Sequence, residues 1–161
     1  MIGHSQGMAA LMRDVAAFHA AHGSADPTNL IEKPCVEVVR LRAKLITEEY
    51  CETIVAMFAG NTPEVKALLK EMLQPILDVI DQCPADHFDL EATADGLADL
   101  IYVSVGTALA LGMTRFPSVW SEVQRSNMDK LGGGRREDGK ILKPEGWKPP
   151  HIHHALYDVA V

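Results

Sequence analysis

The chain lacks a cysteine pair, a surplus of positive charge and any long apolar run, and each absence removes a class of protein. Cys35, Cys51 and Cys83 are odd in number and widely spaced. No CxxC pair occurs, so neither a disulfide framework nor a zinc site is expected, and the thiols read as reduced and packed in the core. The formal net charge is −7. A polymer of nucleic acid needs a basic face, so no such partner is expected. No apolar run reaches the ~20 residues of a membrane span. The opening, Met1 to Gly7, has no basic stretch followed by an apolar one, so no secretory signal is expected and the setting reads as cytoplasmic.

What remains is a globular composition, with 47% hydrophobic and 23% charged residues over 161 positions. That length suits one domain of ~150 residues. Hydrophobic spacing predicts a first helix over 6–21, with Met8, Leu11, Val15 and Phe18 on one face. "HGSADPTNLIEKP" breaks the pattern. A second helix opens near Pro34 and runs to about Ala59. Gly60 stops it, Thr62 caps the next helix, and Pro63 takes its first position. This third helix runs to Gln82 and is expected to kink or break near Pro75. The fourth, from Leu90 to Leu111, is apolar nearly all round, which suits a central helix or one at a subunit interface. The fifth runs from Pro117 to Leu131. No β-alternating run appears, so the class is all-α, a bundle of about five helices. Its core is placed at about 6–131, with an irregular basic segment from 132 to 161. There "EDGK" reads as a tight turn between two short extended pieces.

"EEYCE", residues 48–52, carries the first chemical signal. Val38, Leu41, Leu45, Glu49, Glu52, Ala56 and Ala59 share one stripe of the second helix, with Glu48 one position round. On the fourth helix Ala92, Asp95, Asp99, Tyr102, Gly106 and Ala110 make a second stripe. Each is apolar at its ends and acidic in its middle, so both helices are expected to turn carboxylates inward. Bare buried carboxylates are disfavoured, and divalent cations would neutralise them. Oxygen-only ligands suit magnesium or manganese. Solvated faces paired with Lys44 or Arg42 are the plainer reading of either stripe by itself. A di-iron bundle uses Glu-x-x-His pairs, and neither stripe contains a histidine.

The second signal is cationic. Arg125, Lys130, Arg135, Arg136, Lys140, Lys143 and Lys148 crowd the last third of an acidic protein. Such a segment can fold over an anion, its glycines letting backbone N–H groups approach phosphate. Asn127 and Lys130 share a helical face and can address one ligand. Trp147 either stacks on a base or pins the tail to the core. "HIHH" at 151–154 reads as loose terminal histidines.

In order, these stretches resemble the MazG-like all-α nucleoside triphosphate pyrophosphatases. "EEYCE" fits their EExxE motif, and "DGLADLIYV" resembles their second acidic motif. "AFH", "LRAKLITEE", "LADLIYVSVG", "EVQRSNMDK" and "RREDGKILKPEGWKP" are similar to the Deinococcus-type dUTPase-like branch. The resemblance implies a homodimer, with a tetramer also compatible. It implies cleavage of a nucleoside triphosphate between the α and β phosphates, with two or three Mg2+ per site, and Mn2+ as a substitute. By position, Glu49, Glu52 and Asp99 look like metal ligands, and Glu48 like a further ligand or the base that orients water. Phe18 and His19 look like part of the base pocket. Asn127, Lys130, Lys140 and Lys143 look like substrate contacts, and Arg125, Arg135, Arg136 and Trp147 are added from the tail. Gly96 stands where the family expects Glu, and Asp95 is inferred to replace that ligand. Gln124 stands where relatives often carry His. dUTP is the substrate that the branch favours, with dCTP or a damaged nucleotide also compatible. The rivals are a phosphoribosyl-ATP pyrophosphohydrolase and a non-catalytic nucleotide-binding protein.

Overall fold

A computed structural model of the chain describes residues 4–24, 27–58, 60, 62–137 and 139–157. It is all-helical: α1 (His4–Ala21), α2 (Val36–Phe58), α3 (Pro63–Gln82), α4 (Leu90–Ala110), α5 (Phe116–Met128) and α6 (Ile152–Tyr157). The local signals for boundaries act as expected. Thr62 caps α3, its Oγ1 accepting from the Val65 N–H at 3.3 Å, and Pro63 sits in the first turn. Gly112, at φ +70°, turns the chain out of α4. Pro75, however, lies inside an unbroken α3. It is exposed, so water can serve the carbonyl that the missing N–H leaves. α6 is an addition to the expected five helices.

The chain divides into two compact units, one formed by 31–90 and the other by 1–30 with 91–161. In the first, α2 packs on α3. Val65, Leu69, Leu73, Leu77 and Ile80, at helical spacing, are the half-buried residues of α3. Lys44 reaches Asp81 at 2.6 Å, and Arg40 donates to the Cys83 carbonyl at the end of α3 from Nε at 3.2 Å and Nη2 at 2.7 Å. Lys44 is therefore engaged with α3 rather than held for the glutamates of its own helix.

In the second unit, α5 packs on both α1 and α6. Trp120 Nε1 donates to Asp14 Oδ2 at 2.8 Å, and Gln124 Nε2 donates to the Asp14 carbonyl at 2.7 Å. The glutamine standing in place of a histidine thus has a structural partner on α1.

The thiols are not core residues. Cys35 and Cys83 are exposed, Cys51 is half-buried, and all three are free. Nor is α4 enclosed by the helices of its own unit. Among its residues Ala108 is buried, while Tyr102 is 79% and Leu109 71% exposed.

Candidate functional site

The acidic stripes form on the helices expected to carry them. Glu48, Glu49 and Glu52 lie on α2, and Asp95 and Asp99 on α4. Their surroundings correct the expectation of an inner face. Glu49, Glu52, Asp95 and Asp99 are exposed and Glu48 is half-buried. Periodicity aligned these residues with apolar neighbours; on α2 Leu41 and Leu45 are half-buried, whereas on α4 the stripe members Ala92, Tyr102 and Ala110 are exposed, as are most of the other apolar residues of that helix. Leu97, Leu100, Ile101 and Val103 are 43%, 38%, 41% and 58% exposed. The stripe is real as a pattern, and neither unit by itself buries its carboxylates.

Among the described residues of either unit, no three His, Cys, Asp or Glu groups gather into a metal-holding cluster. Each helix instead offers carboxylates at i,i+3 or i,i+4. That donor set suits a hard dication that keeps several waters and takes one or two carboxylates beside substrate phosphates. Soft-metal chemistry has no matching ligands in these stripes.

The cationic segment is more highly built. Beyond α5 the chain turns at Gly132 and passes close under itself. A Cβ on Gly133 would collide with the Leu142 carbonyl oxygen and lie 3.0 Å from that of Lys130. Only glycine admits this approach. Arg135 and Ile141 then form an antiparallel bridge. The Arg136 N–H donates to the Lys140 carbonyl and the Leu142 N–H to that of Gly134, both at 2.8 Å. This is the turn between extended pieces that "EDGK" suggested, and it brings Arg135, Arg136 and Lys140 onto one hairpin; Asp138 lies outside the described residues.

Trp147 fastens the chain beyond this hairpin. Its Nε1 donates to the Ser126 carbonyl at 2.8 Å, while Ser126 Oγ donates to the Lys148 carbonyl at 3.3 Å. Ser126 is 2% exposed, and the two bonds satisfy its backbone carbonyl and its buried hydroxyl respectively. Lys143 Nζ lies 4.3 Å and Lys130 Nζ 5.9 Å from the centre of the Trp147 ring. Lys130 Nζ also donates to Asn127 Oδ1 at 2.8 Å. Asn127, Lys130, Lys143 and Trp147 are thus one assembly. Beside it opens a depression of about 560 Å3 lined by Met128, Asp129, Leu131 and residues 144–148. Of its two readings, the bonds of Trp147 carry the one in which it pins the tail.

Other tail residues are engaged internally. Arg125 grips Glu122 through Nε and Nη2 and pairs with Asp129 through Nη1. Its guanidinium pKa is raised, first by the hydrogen bond to Glu122. Glu122 also accepts the His151 N–H at 2.8 Å. Its carboxyl is lowered to about 2, first by the Arg125 side chain and then by that N–H. Arg135 Nη2 donates to the His22 carbonyl and to Ser24 Oγ, tying the hairpin to the end of α1. There Phe18 and His19 stand with ring centres 6.0 Å apart, and His22 lies 4.3 Å from Phe18. The "HIHH" stretch is ordered rather than loose. It enters α6, where Ala155 is buried and its carbonyl accepts from Arg115 Nε at 3.1 Å.

Sequence reasoning passed over Asp14, Glu122, Ser126 and His22. For His22 a signal existed, since it stands four residues after Phe18 and three after His19 at a helix end.

No curated protein and no solved structure matches the chain. A family model described as phosphoribosyl-ATP pyrophosphohydrolase matches residues 18–127, well over half of its length, including both acidic stripes. The chain belongs to the phosphoribosyl-ATP pyrophosphohydrolase family, an all-α family within the MazG-like nucleoside triphosphate pyrophosphatase superfamily.

Proposed function

We propose that the protein is a magnesium-dependent nucleoside triphosphate pyrophosphohydrolase that cleaves between the α and β phosphates, with dUTP as its substrate. The observation that carries this is the family match across both acidic helices. Glu49, Glu52, Asp95 and Asp99 would hold two or three Mg2+, which supply Lewis-acid polarisation of phosphate oxygens and lower the pKa of bound water. Glu48 accepts a proton from the attacking water and aims its oxygen at the α phosphorus. That P–O bond forms as the bridging bond to the β phosphate breaks, releasing monophosphate and pyrophosphate. Lys130, Lys143, Arg136 and Lys140 offset the charge gathering on the pyrophosphate. Asn127 holds the Lys130 ammonium in place for this work. The dUTP assignment draws on the likeness of "LADLIYVSVG" and "RREDGKILKPEGWKP" to the dUTPase-like branch, and fits a role in cleansing the nucleotide pool.

The family's own description favours a second reading, phosphoribosyl-ATP as substrate. The same anhydride bond breaks in both, so pyrophosphate does not separate them. The accompanying monophosphate does.

We further propose a homodimer. Exposed apolar side chains such as Tyr102, Leu109 and Val103 on α4 are what an interface between copies would cover. Sedimentation equilibrium should return twice the chain mass. A single-chain mass at micromolar concentration would contradict it.

A further inference from the structure

His22 has no role in the scheme above, yet its ring is held in detail. Its Nδ1 lies 2.8 Å from the Phe18 carbonyl oxygen. A carbonyl only accepts, so Nδ1 carries a proton, and in the tautomer protonated there alone Nε2 is a bare acceptor. Nε2 is shut off from solvent and has no hydrogen-bond partner. The ring face rests against Phe18 at 4.3 Å between centres, inclined by 41°. The backbone that carries it is tied to the hairpin, because the His22 carbonyl accepts from Arg135. Everything about this imidazole is fastened except one dry, fixed acceptor.

Buried polar atoms almost always have partners, and an exception calls for a ligand or a function. A site built to hydrogen-bond one group rejects analogues that lack it, since its own polar atom is then left unpaired. We infer that His22 Nε2 accepts a hydrogen bond from a ring N–H of the nucleobase and thereby sets base selectivity; this rests on the reading of Phe18 and His19 as the base pocket. A uracil ring offers such a donor at N3. Cytosine presents a bare nitrogen at the same place, so acceptor would face acceptor. Because Nε2 is sealed in the free chain, the donor reaches it only as the groups covering it move aside.

Binding of monophosphates tests this without requiring turnover. The full chain, with imidazole 15N label, is titrated with dUMP, dCMP and N3-methyl-dUMP. dUMP should shift the His22 Nε2 resonance in the direction of a nitrogen that accepts a hydrogen bond, and the other two should not. In His22→Phe, which keeps a ring against Phe18, dUMP affinity should fall about tenfold, the size expected for one lost hydrogen bond, with dCMP unchanged. An unmoved Nε2 resonance with dUMP bound overturns the inference. So does an equal loss for both nucleotides with a lower melting temperature, which would mark His22 as a cap for α1 alone. Either result leaves the pyrophosphohydrolase reading standing. That reading fails separately, if the wild-type protein turns over no triphosphate.

Discussion

The segment around α5 and the helices that carry the acids are built on different principles. α5, α6 and the tail are bound by directional bonds between named partners: Trp120 with Asp14, Trp147 with Ser126, Glu122 with His151, Arg135 with His22. The members of each pair lie far apart in sequence and close in space, so the cations are placed before any ligand arrives. α4 shows the opposite. It is rich in apolar side chains, carries Asp95 and Asp99, and is exposed along nearly all its length. The cationic half is held by bonds within its own unit, whereas neither unit by itself buries the acidic stripes. Preorganised charge is what gives an electrostatic site its strength.

Substitutions can break that contrast from either side. The largest expected effect falls on the acidic side. Glu49→Gln should bring metal-dependent turnover to background while circular dichroism stays that of a helical protein, since glutamine keeps the size and helical preference of glutamate at an exposed position. Normal turnover in this variant would remove Glu49 from the site. Next, Gly133→Ala should damage the tail, because a methyl group cannot share space with the Leu142 carbonyl. We expect a loss of roughly 1–3 kcal/mol in denaturant unfolding, as for other overpacked positions, together with a raised KM.

Smaller still, Trp147→Phe keeps the ring near Lys143 but deletes the bond to the Ser126 carbonyl. One hydrogen bond is worth about 1 kcal/mol, so a modest drop in stability with a mild rise in KM is expected. A change in kcat alone would argue for a different role. The smallest expected effect, and one on stability rather than turnover, belongs to Glu122→Gln. The carboxyl of Glu122 is depressed to about 2 from an ordinary 4.5, so its stabilisation is complete above 4.5 and drains away as pH falls toward 2. Acid unfolding followed by tryptophan fluorescence should therefore be shallower in the variant over that window. Identical profiles would show that the Arg125–Glu122–His151 contacts do not stabilise the fold.

Much of the helical layout is legible in the sequence because its punctuation is local. Thr62, Pro63, Gly60 and Gly112 each act through their own backbone or a neighbour three residues away. α6 is not legible. Six residues are too few for a helix to stand by itself, and this one is held by Arg115 and Glu122, whose approach no local pattern reveals. The acidic stripes are legible as patterns, but periodicity tells which residues share a face and not what covers that face. That Pro75 does not interrupt α3 has a related reason: its cost depends on whether water can reach the orphaned carbonyl. For the site, Lys130, Asn127, Lys143 and Trp147 each stand out by composition, spacing or family likeness. Their assembly on one ring depends on Ser126, a buried serine with no sequence signature.

The most direct measurement is turnover by the purified protein with magnesium, offering each dNTP, dUTP, the ribonucleotides and phosphoribosyl-ATP, and separating pyrophosphate from orthophosphate. We predict pyrophosphate with the matching monophosphate, most rapidly from dUTP. Orthophosphate as the first product, or no product from any of them with manganese also tried, would contradict a pyrophosphohydrolase built on these carboxylates.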